Sequence, residues 1–362
     1  NMQVTRKSGD ESRVLPISVI ENKLEQILLT GGEDRLNEYR DELRNVAEEL
    51  GMQTEFAKIN SIISALLSTH DAKVLSTDSA KALAAGSPFD RTRVELFEVL
   101  FDAIKDRYFV IRNNRNIDEE SFRLFSFFES YFSNYIEGTV FEIDEAKAIV
   151  DSGIPLPRRD EDSHDILGTF KVLSNRAEMM KTPTSPKELF AILSHRHSIL
   201  LEGRPHMNPG IFKTKNNRAG MTEFVNYQLV KGTLSQGFKY YAALTDPFAR
   251  AIFMMFMISE VHPFNDGNGR IARVMMNAEL VRADQSRIIV PTVFREDYIL
   301  ALRKLTRHKD PLAYINVMTK LHQFSDNLYG TDFTELKNYL AACNAYEEPS
   351  QAKLQIIDRT IK

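Results

Sequence analysis

The chain has 362 residues, of which 43% are hydrophobic and 27% are charged, and this usage excludes a wholly disordered or fibrous protein. Its 46 basic and 50 acidic residues give a net charge of −4, so nucleic acid is not an expected partner, although a local phosphate site remains open. The single cysteine, Cys343, excludes an intramolecular disulfide and a cysteine-based zinc site.

The sequence predicts no membrane partner and a reducing, cytoplasmic compartment. The longest apolar stretch, residues 251–258, is far shorter than the ~20 residues of a membrane span. No signal peptide is visible at the start of the sequence, and one cysteine is typical of a reducing compartment.

The first 110 residues predict an N-terminal helical region, because apolar residues recur at helical spacing between charges. The predicted helices are 17–29, 34–50, 55–69 and 91–107, and Gly31 and Gly32 separate the first two. Nothing in this region has catalytic spacing, and its charged residues are expected on solvated helix faces.

The remainder predicts an all-α protein with one β-hairpin. Helices are expected over 119–134, 144–151, 164–179 and 186–201, and the glycine-containing stretch 205–234 is the place for the hairpin. Asp246 and Pro247 form an N-cap and first helical residue, opening a helix to about residue 261. A second helix follows at about 270–282, and 295–340 is helical again. We predict a central domain at 111–310 and a C-terminal helical extension at 311–362.

Residues 262–273 read His-Pro-Phe-Asn-Asp-Gly-Asn-Gly-Arg-Ile-Ala-Arg, a glycine-containing loop between two predicted helices. Gly267 and Gly269 allow a ligand to approach the backbone closely. Free N–H groups and the helix dipole at the start of the second helix favour an anion. Arg270 and Arg273 lie three residues apart on one face of the first turn, and two guanidinium groups there suit a polyphosphate.

Two further loop residues carry chemistry. Asp266 offers one carboxylate, and one carboxylate together with substrate phosphates is the usual way that Mg²⁺ is held. His262 has an ordinary pKa near neutrality, which suits a base acting on a hydroxyl nucleophile.

Two simpler interpretations of the loop compete with phosphate binding. Residues 267–272 fit the dinucleotide fingerprint G-x-G-x-x-A, but the preceding apolar segment of about 15 residues is too long for an ordinary strand. A plain helix–loop–helix turn with exposed arginines does not explain why histidine, aspartate, asparagine and two arginines meet in one loop.

The stretch 262–273 resembles the Fic motif, H-P-F-x-(D/E)-G-N-G-R-x-x-R, and matches it at every defined position. The resemblance covers about 115–310 and implies a helical Fic fold with a β-hairpin flap and helical extensions at both ends. Most family members transfer AMP from ATP to a hydroxyl of a target protein. The resemblance implies that His262 takes the proton of that hydroxyl, that Asp266 holds Mg²⁺ on the α- and β-phosphates, and that Phe264 anchors the loop. The residues implied to bind the nucleotide and its phosphates are Asn265, Gly267, Asn268, Gly269, Arg270, Arg273 and Tyr298.

A second motif lies upstream, where residues 133–138 fit the family's inhibitory pattern (S/T)-x-x-x-E-(G/N). Taken alone, Glu137 and Gly138 indicate a helix that ends at a capping glycine. The resemblance implies an inhibitory helix at about 122–138, in which Glu137 pairs with Arg273 and takes the place of the γ-phosphate. Ser133 lies four residues before Glu137 on the same helix face and is expected to steady the carboxylate.

The resemblance also implies a flap around residues 221–227 that holds the target segment by backbone pairing, centred on Thr222, Glu223, Phe224 and Val225. The implied partners are ATP with Mg²⁺, a Ser, Thr or Tyr hydroxyl of a target protein, and a second copy in a homodimer. His195 and His197 alternate on a predicted helix and diverge, so packing is favoured over a metal site. We therefore predict an autoinhibited adenylyltransferase. Removal of AMP at the same site and a catalytically silent nucleotide-binding regulator remain the alternatives.

Overall fold

The computed structural model describes residues 15–220 and 222–359, which form two compact units. The first unit holds the described residues up to Arg91 together with Lys231–Thr233, and the second holds the rest. The predicted helix at 91–107 therefore lies almost wholly in the second unit, while the three-part division at 110 and 310 stays a prediction. None of the helices in the described ranges combines the length and apolarity that crossing a bilayer requires.

The first unit consists of three helices around a small apolar core. They are α1 (Ile17–Glu49), α2 (Gln53–Leu66) and α3 (Asp78–Ala84). The two helices predicted on either side of the glycine pair form one element, α1, with a kink at Gly32, whose φ of 75° suits glycine. The core side chains of this unit are buried, among them Leu24, Leu36, Ile63 and Leu75.

Two charged side chains of α1 lie in this core. Glu21 accepts hydrogen bonds from the backbone N–H groups of Ser76 (2.7 Å) and Thr77 (2.8 Å). Glu25 accepts one from the Ser79 hydroxyl at 3.1 Å. The expectation that the charges of this region lie on solvated faces is therefore wrong for these two glutamates, because they satisfy polar groups at the start of α3.

The second unit confirms the predicted all-α class, since its described residues contain helices and a single two-stranded hairpin. The helices that precede the hairpin are α4 (Arg91–Ile104), which starts at the last residue of the first unit, α5 (Glu119–Ile136), α6 (Ile143–Ser152), α7 (Asp160–Leu173), α8 (Arg176–Met179) and α9 (Pro186–Leu200). The hairpin strands are β1 (Arg218–Ala219) and β2 (Thr222–Glu223). The helices that follow are α10 (Val230–Ala243), α11 (Pro247–Val261), α12 (Asn268–Arg282), α13 (Arg295–His308), α14 (Pro311–Ser325) and α15 (Phe333–Ala342).

One predicted helix, 164–179, is divided in the structure. The division lies between α7 and α8, where Asn175 caps α8 by accepting the backbone N–H of Glu178 at 3.0 Å. An asparagine side chain competes with the helical backbone for hydrogen bonds and so favours a new helix start.

The central pair of helices, α11 and α12, positions the loop between them. Asp246 caps α11 by accepting the Ala249 N–H at 2.8 Å, and Pro247 is its first residue, as the sequence predicts. Nearly all of α11 is buried, and Met254, Met255 and Met257 fill the core, since flexible thioethers pack well in irregular gaps. The ends of two buried helices fix the loop in space.

Candidate active site

The loop between α11 and α12 is closed by its own side chains. Phe264 is fully buried, and Asn268 brackets it by accepting its N–H at 2.8 Å and donating to its C=O at 2.9 Å. Gly267 precedes α12 with a φ of 71°. Phe264 therefore anchors the loop as the resemblance implies, and the amide of Asn268 closes it over this ring.

His262 is held as a neutral base. The backbone C=O of Ser259 can only accept, so the imidazole donates from Nδ1 at 2.8 Å and keeps the lone pair on Nε2. Burial lowers the pKa of His262 to about 4, and the positive charge of Lys213 acts in the same direction. The ring stacks on Phe224 with centroids 3.4 Å apart, so its orientation is fixed.

Arg270 lies in a buried network of carboxylates. Its guanidinium contacts Asp165 at 2.7 Å and Asp266 at 3.4 Å. Arg204 also pairs with Asp165 and lies 3.8 Å from Asp266. Asp165 and Arg204 belong to this site, but sequence analysis missed them because they lie outside any motif and far from the loop in sequence.

Arg273 pairs with Glu137, as the inhibitory motif implies. The distance from Nη2 to Glu137 Oε1 is 2.7 Å, and the Arg273 side chain is 5% exposed against 35% for Glu137. Burial by itself raises the pKa of Glu137, but the charges of Arg273 and Arg270 outweigh it and leave this pKa below its usual value. The carboxylate is therefore ionised at neutral pH.

The structure places Ser133 differently from the expectation. Its hydroxyl accepts from Arg273 Nε at 2.9 Å, and its carbonyl accepts from Nη2 at 2.8 Å. Ser133 thus orients the guanidinium rather than the Glu137 carboxylate, because the arginine reaches across to α5 and offers donors that both oxygens of Ser133 can accept.

Glu137 lies against the first turn of α12. A Cβ added to Gly269 would overlap the Glu137 carboxylate, so glycine is required at this position for the close approach. Glu137 is the last residue before Gly138, whose φ of 98° ends α5. The carboxylate therefore lies beside the helix start that the sequence predicts for an anion.

Tyr298 lies beside Arg273 and is almost completely buried. Burial raises the pKa of its hydroxyl, although the Arg273 charge opposes that shift. The hydroxyl is 3.8 Å from the sulfur of Met255. Its implied contact with the nucleotide stays a prediction.

Asn265 lies exposed at the loop tip, with Nδ2 3.4 Å from the Met207 carbonyl oxygen. The nucleotide contact that the resemblance implies for Asn265 also stays a prediction.

A clamp formed by Lys213 and Asn217 holds the backbone on both sides of His262. The N–H of Lys213 donates to Pro263 C=O at 2.8 Å, and its buried ammonium donates to Asn217 Oδ1 at 2.7 Å and lies 3.4 Å from Val261 C=O. Asn217 Nδ2 donates to Phe264 C=O at 2.9 Å. Burial lowers the pKa of Lys213 to about 8. This clamp holds His262 in its left-handed conformation, with a φ of 50°.

His197 supports the same loop from α9. Its Nδ1 accepts the Gly210 N–H at 2.8 Å, so Nε2 carries the proton and donates to Asp266 C=O at 3.0 Å. The ring stacks on Phe264 with centroids 3.7 Å apart, and burial lowers its pKa to about 4. The predicted packing role is correct in kind, but the sequence did not show that His197 holds the loop.

One flap residue, Phe224, lies over His262, while Met221 lies outside the described residues. Phe224 is half-buried against the His262 ring, and Val225 is fully buried. Thr222 and Glu223 form β2, with Glu223 exposed. Of the predicted flap residues, Phe224 is therefore the one that the structure places against the His262 ring.

The described part of the chain contains no group of three or more His, Cys, Asp or Glu side chains that could hold a metal ion by themselves. Asp266, whose side chain is 38% exposed, offers a single carboxylate at the mouth of the loop. This donor set fits Mg²⁺ that shares its coordination with substrate phosphates.

Comparison with known proteins finds similarity to one protein family. Residues 187–280 match the model of the Fic/DOC family. A Fic domain-containing signaling protein from Bacteroides thetaiotaomicron shares the fold with a TM-score of 0.50 at 17% identity, over 65% of this chain and 94% of that one.

Two relatives are similar over more than half of the chain. Protein adenylyltransferase fic-1 of Caenorhabditis elegans is 26% identical over 231 residues, which cover 62% of this chain and 45% of the relative. Protein adenylyltransferase Fic of Nematostella vectensis is 24% identical over 214 residues, covering 55% of this chain and 47% of the relative. The matched part thus spans less than half the length of these relatives.

Proposed function

We propose that this chain, which carries a Fic/DOC domain at residues 187–280, transfers AMP from ATP to a protein hydroxyl and is inhibited by its own Glu137. The observation that carries the proposal is the 2.7 Å pair between Arg273 and Glu137 at the first turn of α12, next to a neutral His262. The base His262 and the predicted anion site belong to one loop, and the Glu137 carboxylate reaches that loop from the end of α5.

His262 and the loop suit a direct displacement at the α-phosphorus. The acceptor hydroxyl gives its proton to Nε2 of His262 while its oxygen bonds to the α-phosphorus. The bond from the α-phosphorus to the bridging oxygen breaks, and pyrophosphate leaves with the electron pair. Positioning and charge stabilisation carry most of the rate in phosphoryl-type transfers, and the α12 N–H groups with Arg270 supply both.

Asp266 is the residue that would hold Mg²⁺ with the phosphate oxygens, and the ion would supply charge neutralisation there. Arg204 and Arg270 lie 3.8 Å and 3.4 Å from the same carboxylate and orient it. The residues themselves bind and orient the phosphates, while His262 moves the proton.

Inhibition follows from competition for one guanidinium. The Arg273 side chain is nearly buried and already pairs with the Glu137 carboxylate, so a γ-phosphate has to displace Glu137 to reach the guanidinium. ATP that binds without this contact sits with its α-phosphorus out of line for attack. Pairing of two copies near α5 stays a prediction.

The test is incubation of the wild type, Glu137→Gly and His262→Ala with α-labelled ATP and Mg²⁺, with label on protein as the readout. We expect weak label on the wild type, strong label on Glu137→Gly and none on His262→Ala. Equal labelling of all three would refute the mechanism. An unlabelled but folded Glu137→Gly that still binds ATP would favour the silent regulator. Release of AMP from a labelled protein by the wild type, lost in Glu137→Gly, would favour AMP removal.

A further inference from the structure

An arginine from α13 lies on the catalytic face of the flap. Side chains two residues apart in a strand point to the same side, so Thr222 and Phe224 share a face. Phe224 stacks on His262, and the hydroxyl of Thr222 lies 3.3 Å from Nη2 of Arg307. Arg307 is therefore about one strand repeat, ~7 Å, from the residue that covers the catalytic ring.

The edge of β2 that faces away from β1 has no neighbouring strand in the described residues, but it contacts a guanidinium. Glu223 lies opposite Arg218 in the hairpin, and the flanking Phe224 N–H bonds back to Asn217 C=O at 3.3 Å. In this register the C=O of Glu223 points away from β1, to the edge where a third strand would pair. There it accepts Nη2 of Arg93 at 2.6 Å.

The charge on the α13 side of the flap is not balanced by carboxylates. Arg303 lies one helical turn before Arg307 and both are exposed, and within the described ranges neither side chain has a carboxylate in ion-pair distance. Lys309, at the end of the same helix, is by contrast paired with Glu95 at 3.3 Å. Arg307 thus leaves a positive charge beside β2, and Arg303 adds a second one on α13, in a chain whose net charge is −4.

We propose that the acceptor polypeptide carries an acidic side chain two residues from the hydroxyl that receives AMP, and that Arg307 binds it. This inference rests on the proposed function. An extended acceptor paired along β2 presents the hydroxyl to His262 and places side chains ~7 Å away on the same face, which is the distance from Phe224 to Thr222 along the strand. A carboxylate at that position meets a guanidinium with no other anionic partner.

The experiment uses the 362-residue chain with Glu137→Gly, α-labelled ATP and a peptide library with one central Ser, Thr or Tyr and randomised flanking positions. We expect peptides with Asp or Glu two residues from the hydroxyl to react with up to about fivefold higher kcat/KM than those with Ala, the size of one exposed ion pair. Arg307→Glu in the same background should prefer Lys or Arg at that position. Lys187→Glu, the same charge change on α9, is the control and should keep the acidic preference.

Several outcomes would overturn this inference while leaving AMP transfer intact. One is that peptides are labelled without a preference for Asp or Glu two residues from the hydroxyl. Another is that the enzyme labels itself but labels no peptide of the library. A rise in the KM for ATP in Arg307→Glu, with peptide preference unchanged, would assign the guanidinium to the nucleotide. If single-stranded DNA shields Arg307 from chemical modification and acidic peptides do not, Arg307 binds nucleic acid instead of the acceptor peptide. If neither the library nor the enzyme itself is labelled, the proposed function fails instead.

Discussion

Replacement of Glu137 by glutamine removes the charge that pairs with Arg273 and keeps the size of the side chain. The pair it breaks joins Arg273 Nη2 to Glu137 Oε1 at 2.7 Å. A hydrogen bond to a charged group contributes about 1.5–3 kcal/mol. Because the Glu137 side chain is 35% exposed, solvent screening places this pair in the lower half of that range, about 1.5–2 kcal/mol.

That free energy sets the size of the expected effect. If ATP must displace Glu137 before transfer, the loss of about 1.5–2 kcal/mol corresponds to a rate about 10–30-fold higher, since 1.36 kcal/mol is one decade. Glu137→Gly should release at least as much, because it also clears the space above Gly269 where the carboxylate lies.

The assay is the initial rate of label transfer from α-labelled ATP at saturating Mg²⁺. Glu142→Gln is a matched control, since it makes the same charge change at an exposed position five residues further along the chain. It should label at the wild-type rate. The double variant Glu137→Gln with His262→Ala should be inactive, because the base is then absent.

The reasoning fails if Glu137→Gln transfers label no faster than Glu142→Gln, provided that both variants bind ATP and have the circular dichroism spectrum of the wild type. In that case the pair with Arg273 would be a structural contact that ATP does not have to displace. A slower Glu137→Gln would also contradict inhibition and would give the carboxylate a positive role in the reaction.

Three further predictions concern the residues that hold the loop. Lys213→Met removes the ammonium that donates to Asn217 at 2.7 Å, so kcat should fall about tenfold or more, while the KM for ATP stays within about twofold. Lys213→Arg should retain most of the rate. Equal rates for Lys213→Met and the wild type would show that the clamp does not contribute to the reaction. Because the pKa of His262 is about 4 and the base acts when neutral, the labelling rate of Glu137→Gly should stay level from pH 7 to pH 5 and halve near pH 4; a decline centred near pH 6.5 would contradict this. His197→Leu leaves the partly buried N–H of Gly210 and C=O of Asp266 without their partner, and the free energy of unfolding in urea should fall by about 1–3 kcal/mol; a loss below 0.5 kcal/mol would show that these groups find other partners.

Local patterns in the sequence predicted a large part of the fold and the centre of the site. Helical periodicity identified the long helices, and Asp246 with Pro247 fixed the start of α11, because caps and first-turn prolines act within a few residues. The loop motif indicated His262 and Arg273 for the same reason: its chemistry is contained in twelve consecutive residues. The inhibitory motif indicated Glu137 on a separate helix, and the structure pairs it with Arg273.

Other features depend on contacts between distant parts of the chain. Ser133 binds Arg273 rather than Glu137, and Glu21 is buried rather than solvated, because the hydrogen-bond partner that decides each case lies on another element. Spacing on one helix shows which side chains share a face, but it does not show which donors that face meets.

The sequence by itself determined the all-α class, the residues of the loop motif and the glutamate that pairs with Arg273, since these depend on short-range periodicity and on motifs. Only the tertiary structure decided that Lys213, Asn217 and His197 hold the loop, and that Arg307 lies on the catalytic face of the flap. These residues are linked to the loop by buried hydrogen bonds and by strand register, and both form only when segments far apart in sequence pack together.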